Sequence, residues 1–483
     1  MRLKEVIQSF LPQGSFIKNV ATLMTGTVFA QMLLILAAPI LTRLYNPEEF
    51  GIFTLYTSVV GFMTVIACLR YEYAIVLPDN DEDAANLLAL SIIICLGMTV
   101  IVFFLVAVSR NSFADLLGSA ALAHWLWFVP LSVIAAGGFV VLNYWSTRRK
   151  QFKRLALRQV TNSTVTLFTQ IGSGVVWNPG PGGLIAGHVI GQLTATGRLA
   201  WQIFRDEGSR ILLAVNKKTM KQMLIRYRRF PLYDLWAGLI NKASSLIPSL
   251  LLAYYFNPTI VGFYALAQSV LTLPISVIGG AALQVYFPRA TEARRVGDLD
   301  RLTLNMFREL LNLGTVPMIL IAIVAPDLFS FVFGSQWYTA GEYVRWLCLW
   351  CLFQFISAPI STVYYVLEKQ RDYLFFNAAL MISGQICLVV GGMQGDALFT
   401  IKLFGLSSFL IYVYFGFKIM IMSGNTLLDT GMVLLSSIRR AIPFIVPLLA
   451  YMAIAEDSTT SVILAIVIGL IFLGIKVRSL GIS

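Results

Sequence analysis

The residue whose position most demands a chemical explanation is Lys242, a cation near the middle of an apolar stretch running from about 231 to 256. An ionisable group in hydrocarbon costs about 2.5–3.5 kcal/mol even on insertion scales, so such groups face protein, water or a ligand. Lys242 is too far from either end of its stretch to snorkel comfortably. Asp234, Gly238, Asn241, Ser245 and Pro248 recur there at spacings of three or four, a small and polar stripe on one helical face with Lys242 one step off it. Arg70 and Glu72 close an earlier apolar stretch, and residues two apart point to different faces, so they are not an automatic ion pair. A cation placed like Lys242 favours reading its face as the lining of a cavity.

Other chemistry-bearing patterns fail. Asp298-Leu299-Asp300 has the look of a metal and nucleotide-sugar motif but stands in a short loop with no domain to hold the nucleotide. Asp79, Asp81 and Asp83 begin like a calcium loop, yet Ala84 and Leu90 occupy the positions that need Gly and Glu, which leaves a solvated acidic turn. Cys348 and Cys351 have redox spacing inside an apolar helix without a second pair. His124 and His188 are too few for a metal site, although His188 is a candidate proton-linked group. Pro179-Gly180-Pro181-Gly182-Gly183 lacks the Lys-Ser/Thr of a phosphate-cradling loop. No catalytic constellation, metal site or cofactor site is expected.

The elements that must position Lys242 are membrane helices. The chain has 483 residues, 58% hydrophobic and 12% charged, whereas soluble domains carry roughly a quarter charged residues. Windows of about 20 apolar residues fall near 17–42, 52–77, 86–108, 121–145, 159–177, 183–203, 231–256, 260–287, 310–333, 341–366, 373–394, 397–420, 441–455 and 461–475. The predicted fold is therefore all-α, a polytopic membrane protein of about 14 transmembrane helices. The first window starts too far in, and runs too long, for a cleavable signal peptide. All five cysteines fall inside apolar windows and read as buried free thiols.

Lysine and arginine resist translocation and set orientation. Of the 36 present, all except Arg43, Arg110, Arg345, Lys402 and Lys242 fall on the face shared by the two termini, which is the cytoplasmic face on this reading. The net charge of +12 is concentrated in loops around Arg148–Arg158 and Arg205–Arg229. These cations are dispersed at helix ends without a nucleic-acid module, so their partner is anionic membrane lipid and not nucleic acid. Arg43 and Arg345 run against the trend at the external ends. Arg70 either reaches inward or snorkels.

A duplication is visible. Asn46-Pro47 with Gly51, Leu55, Ser58 and Val59 matches Asn257-Pro258 with Gly262, Leu266, Ser269 and Val270 at one offset of 211 residues. Six helices separate the copies, so the repeats share an orientation, and two bundles rocking about a central cavity follow. The expected divisions are 1–204, a basic linker 205–230, 231–421, and two further helices in 422–483. The offset sets Gln31 opposite Lys242, and Thr57, Gly61, Thr64 and Cys68 give the second helix a weakly polar face. Gly183, Gly187 and Gly191 allow close helix approach. Pro274 with Gly279-Gly280 marks a candidate kink.

The stretches Leu41-Thr42-Arg43-Leu44-Tyr45-Asn46-Pro47-Glu48-Glu49-Phe50-Gly51 and Leu69-Arg70-Tyr71-Glu72-Tyr73-Ala74-Ile75-Val76-Leu77-Pro78 resemble polysaccharide flippases of the Wzx type. So do Leu273-Pro274-Ile275-Ser276, Gln284-Val285-Tyr286-Phe287-Pro288-Arg289 and Phe333-Gly334-Ser335-Gln336-Trp337. The resemblance implies the multidrug/oligosaccharidyl-lipid/polysaccharide exporter superfamily, two six-helix lobes and two C-terminal helices in a bacterial inner membrane. It implies movement of undecaprenyl-pyrophosphate-linked repeat units by alternating access, coupled to an ion gradient. The substrate is a lipid-linked oligosaccharide for O-antigen, capsule or exopolysaccharide, and a polysaccharide polymerase and chain-length regulator are the expected partners. Candidate substrate contacts are Lys242, Arg70, Arg43, Gln31, Asn241, Gln284 and Arg345, with Lys242 and Arg70 on the pyrophosphate. Candidate ion-coupling residues are Asp234 and Glu72. The alternatives are a multidrug antiporter, which would centre carboxylates in place of Lys242, and a peptidoglycan-precursor flippase. An enzyme is disfavoured, because no loop exceeds about 27 residues.

Overall fold

The structure is a computed structural model describing residues 15–176, 180–454 and 458–479, apart from the side chains of 15–25, 274, 276, 277, 281, 284, 285, 458 and 477–479. Among the described residues there is no strand. The helices are α1 (Ser15–Leu44), α2 (Pro47–Ile66), α3 (Asp81–Leu116), α4 (Val129–Arg148), α5 (Phe152–Val176), α6 (Pro181–Ala214), α7 (Lys217–Arg226) and α8 (Leu235–Tyr255). There follow α9 (Pro258–Pro274), α10 (Gly280–Val296), α11 (Leu299–Phe333), α12 (Tyr338–Ile360), α13 (Gln370–Met393), α14 (Ala397–Met422), α15 (Leu427–Ile454) and α16 (Ser458–Ser479). Each of the fourteen predicted windows holds an α-helix over most of its described residues. Eleven helices are long and apolar enough to cross a membrane, and Pro258–Leu273 is a shorter apolar one. The remaining two windows lie on α5 and α6, which are joined by Gln170 donating to the Leu184 carbonyl and Arg198 donating to the Thr161 hydroxyl, both at 3.0 Å.

The chain divides into two compact units, Met1–Gly262 and Phe263–Ser483. In the first, asparagine caps start α2, α3 and α7. The Asn46 side chain accepts from the Glu49 backbone N–H at 2.9 Å and the Glu49 carboxylate accepts from the Asn46 N–H at 2.8 Å, a capping box with Pro47 at the first helical position. The acidic run after Asp79 is largely exposed and forms the first turn of α3. Asn80 caps it, and Asp81 is tied to Arg148 at 3.1 Å and Arg149 at 2.8 Å. The α6 glycines lie against α5: a Cβ at Gly187 would stand 2.8 Å from the Thr166 carbonyl oxygen, and one at Gly191 would stand 3.1 Å from that of Asn162. Tyr45 locks α1 to the same pair by donating to the Gln170 carbonyl at 2.6 Å.

The predicted single span 52–77 is corrected. Helix α2 stops at Ile66, Leu69 and Arg70 adopt left-handed φ values of 48° and 68°, and a 3-10 turn runs through Tyr71–Val76. Two successive non-glycine residues in that region are uncommon and strained. Burial of Ala67, Cys68, Ala74 and Ile75 on either side holds the bend.

In the second unit, α11 and α12 pack around Phe307, Phe329, Trp337, Tyr343 and Phe355. Helices α15 and α16 close on α11 through Leu320, Val324, Ala441, Leu448 and Phe472. A π turn, Ile275–Gly279, separates α9 from α10 at the predicted kink.

Candidate functional site

The bend after α2 delivers Arg70 onto α8. Asp234, Gly238, Lys242 and Leu246 are four residues apart and so form one row along that helix. The Arg70 guanidinium lies on Gly238, where a Cβ would stand 1.7 Å from Nη2 and 2.5 Å from Cζ. Its Nε is 3.2 Å from Asp234 Oδ2, an ionic contact without hydrogen-bond alignment. Its Nη1 donates to the Tyr73 hydroxyl at 2.7 Å. One turn along α8, the Lys242 stem runs against α2: a Cβ at Gly61 would be 3.2 Å from Lys242 Cε and 3.7 Å from its Nζ. Lys242 is half-buried, and no carboxylate pairs with it among the described residues.

Of the polar stripe read from the sequence, Asp234 and Gly238 share the row of Lys242 and meet Arg70. Asn241 and Ser245 are exposed, while the row containing Lys242 is the one turned toward α2 and the Arg70 turn. Gly238 belongs to both rows, and its neighbour Arg70 comes from a bend that periodicity does not foresee.

Glu72 lies in the connection between α2 and α3, outside the spanning helices, and is 3% exposed with Oε2 unpartnered. Burial pushes its carboxyl up to about 7; the Asp234 charge adds to the rise, and a backbone hydrogen bond and Arg70 oppose it. Arg70 and Glu72 do not pair: Arg70 is committed to Asp234 and Tyr73.

The structure brings Arg70, Asp234, Lys242 and Glu72 into one unit and leaves the other candidates apart from that row. Gln31 is half-buried on α1, and Arg43 is exposed at its end. Arg345, in the second unit, is held by Glu342 at 3.0 Å and by the carbonyls of Ala322 and Ile323 at 3.3 Å. Gln284 lies outside the described side chains. His188 is packed between the rings of Phe53 and Tyr56. Sequence reasoning missed Arg158, grouped with the loop cations. It is 8% exposed on α5, with its Cζ 3.4 Å from the centroid of the Phe139 ring and no ion pair among the described residues. The apolar cleft of about 200 Å³ between α11 and α16 contains none of these groups.

The chemistry of this arrangement is anion recognition. A guanidinium fork and an ammonium stand about one helical turn apart on one face, the fork held by a half-exposed carboxylate that a phosphate could replace. Among the described residues no cluster of His, Cys, Asp or Glu has the makings of a metal site.

The architecture matches solved transporters. A lipid II flippase MurJ in an inward closed conformation aligns with a TM-score of 0.69 at 12% identity, over 95% of this chain and 99% of that one. An inward-facing multidrug resistance MATE family transporter of the MOP superfamily aligns with a TM-score of 0.61 at 15% identity, over 81% and 95%. The fold is thus that of polytopic membrane transporters. Within that class, the family model for polysaccharide biosynthesis proteins matches residues 40–342, more than half of the chain, and the chain belongs to that family. The succinoglycan biosynthesis transport protein ExoT of Rhizobium meliloti is 25% identical over 346 residues, 67% of this chain and 63% of that protein. The lipopolysaccharide biosynthesis protein WzxC of Escherichia coli is 25% identical over 166 residues, 33% of each. Both matches span less than two thirds of the relative's length.

Proposed function

We propose that the chain is a flippase, with no catalytic step of its own, that carries undecaprenyl-pyrophosphate-linked oligosaccharide repeat units from the cytoplasmic to the periplasmic leaflet for O-antigen, capsule or exopolysaccharide assembly. The observation that carries this reading is Arg70 seated on Gly238 beside Asp234, with Lys242 one turn further along α8. A phosphate entering this row exchanges Asp234 for a phosphate oxygen on the Arg70 fork, while Lys242 meets the second phosphate. The released Asp234 carboxylate then needs a proton or a metal cation, and this links substrate loading to an ion gradient. Glu72, buried nearby in sequence, is the second group of that coupling.

In this proposal the lobes are 1–204 and 231–421, joined by the basic segment 205–230 and followed by 422–483. Helix α8 is the second lobe's helix lying against α2, and rocking of the lobes exposes the row to each leaflet in turn. The chain lies in the bacterial inner membrane with both termini cytoplasmic, and a polysaccharide polymerase and chain-length regulator act on the delivered units. The family membership and the named relatives, polysaccharide and lipopolysaccharide proteins, support the substrate class.

The test is a flipping assay in proteoliposomes. A fluorescent saccharide on undecaprenyl pyrophosphate should change leaflets, and the same saccharide on a neutral glycolipid should not. Equal rates for both would remove the two cations from the mechanism. Transport of organic cations without lipid movement would replace this reading by that of a multidrug antiporter.

A further inference from the structure

From Gly208 to Tyr233 the chain carries seven lysines and arginines and no carboxylate. None of these cations forms an ion pair among the described residues. Helix α7 organises them. Met223 is buried on its inner face, while Lys217, Lys221 and Leu224 at spacings of four and three, and Lys218 with Ile225 beside them, are exposed. Leu212 and Leu213, just before it, are 71% and 88% exposed. A short helix that shows cations and large aliphatic groups on the same open face, just before a helix long and apolar enough to cross a bilayer, has the composition of an interfacial helix.

It is also tied to the bend that carries Arg70. The Tyr71 hydroxyl donates to the Leu224 carbonyl at 2.9 Å. Asn86 of α3, 1% exposed, donates to the Ala214 carbonyl and accepts from the Asn216 N–H, both at 2.8 Å, gripping the chain where α7 starts. The position of α7 is therefore linked by a direct hydrogen bond to the Tyr71 side chain, one residue from Arg70.

We infer that α7 is a docking surface for anionic phospholipid headgroups of the adjoining leaflet, and that headgroups bound there steady the Arg70 turn through Tyr71. The occupant follows from charge complementarity: a cluster without internal counter-ions, flanked by exposed aliphatic groups, fits a surface that is anionic above and apolar below, and each basic residue adds to that attraction. The lipid contact does not depend on the transport reading.

Amide hydrogen exchange on the full-length protein, in nanodiscs of phosphatidylcholine with or without phosphatidylglycerol, tests it. Phosphatidylglycerol should slow exchange across 217–226 roughly tenfold, and also slow it at 69–73. Raising the salt from about 0.05 to about 0.5 M should shrink the difference, a test that needs no variant. Combined Lys217→Gln, Lys218→Gln and Lys221→Gln should abolish it. Tyr71→Phe should keep the slowing at 217–226 and lose it at 69–73. Equal exchange of the unmodified protein in both lipids overturns the proposal, as does a slowing that survives loss of the three lysines. Inorganic phosphate reproducing the effect in phosphatidylcholine would reject a lipid surface as the occupant.

Discussion

Gly51 and Gly262 occupy equivalent places in the two copies of the Asn-Pro motif, and each lies against the other copy's proline carbonyl. A Cβ on Gly51 would be 1.7 Å from the Pro258 oxygen, and one on Gly262 would be 1.8 Å from the Pro47 oxygen. The contact is reciprocal in the sense of a two-fold interface. The caps match too: Asn46 accepts from the N–H three residues on at 2.9 Å, and Asn257 does so at 3.1 Å. The obstacle to a side chain is backbone on both sides, which cannot swing away. Gly51→Ala and Gly262→Ala should therefore each cost about 1–3 kcal/mol, and nearly the same amount. The double variant should cost less than their sum, because either change alone already parts the helices. Thermal unfolding of the purified proteins measures all three, and unequal single losses would show that the contact is not the shared constraint.

The matching motif could be read from sequence because its Asn, Pro and Gly sit in the opening turns of a helix, where they have fixed physical duties. The helices were legible because lipid imposes long apolar runs. Lys242 and Asp234 stood out because charge in such a run is costly. The bend at Leu69 and Arg70 was not legible: no Gly or Pro marks it, and its left-handed backbone is held by burial of residues that also suit a continuous helix. Missing the bend hid the Arg70–Asp234 pair. Helix α7 was hidden inside a basic linker, since its buried face amounts to little more than Met223. Arg158 looked like its loop neighbours because burial of a cation leaves no trace in residue type.

Gly238→Ala tests whether the Arg70 seat matters. Alanine favours a helix over glycine by roughly 0.5–1 kcal/mol, so the fold should hold. The methyl group, however, displaces the guanidinium, the movable partner in the contact. Substrate flipping should fall about as far as in Arg70→Gln, and adding Gly238→Ala to Arg70→Gln should change nothing further. An additive loss in the double variant would mean that Gly238 serves helix packing alone.

Glu72 gives a pH dependence whose sign can be worked out. Its carboxyl titrates at about 7 in the folded protein, against 4.5 ordinarily. Between those values the folded state holds a proton that the unfolded chain has lost. Stability is therefore greatest at the acidic end and declines as pH rises through about 7, by on the order of 3 kcal/mol at most. Unfolding temperatures from pH 5 to pH 8 should fall in the native protein and stay flatter in Glu72→Gln, which should be the more stable of the two at pH 8. A native protein that gains stability over that range would show that another group controls it.

Lys242 separates charge from packing, because its stem fills the space over Gly61 while its ammonium pairs with no carboxylate among the described residues. Lys242→Met keeps most of the stem and removes only the charge, whereas Lys242→Ala removes both. If the ammonium binds substrate phosphate, both variants should insert normally and lose flipping by about 10- to 100-fold, the value of a charge-assisted hydrogen bond worth about 1.5–3 kcal/mol. Arginine at 242 should restore part of the activity, since the charge returns with a different reach and geometry. The rates for Met and Ala should then be similar, as charge is the shared loss. If Met flips substrate at the native rate while Ala does not, the stem against α2 is what matters, and the anion must be held elsewhere.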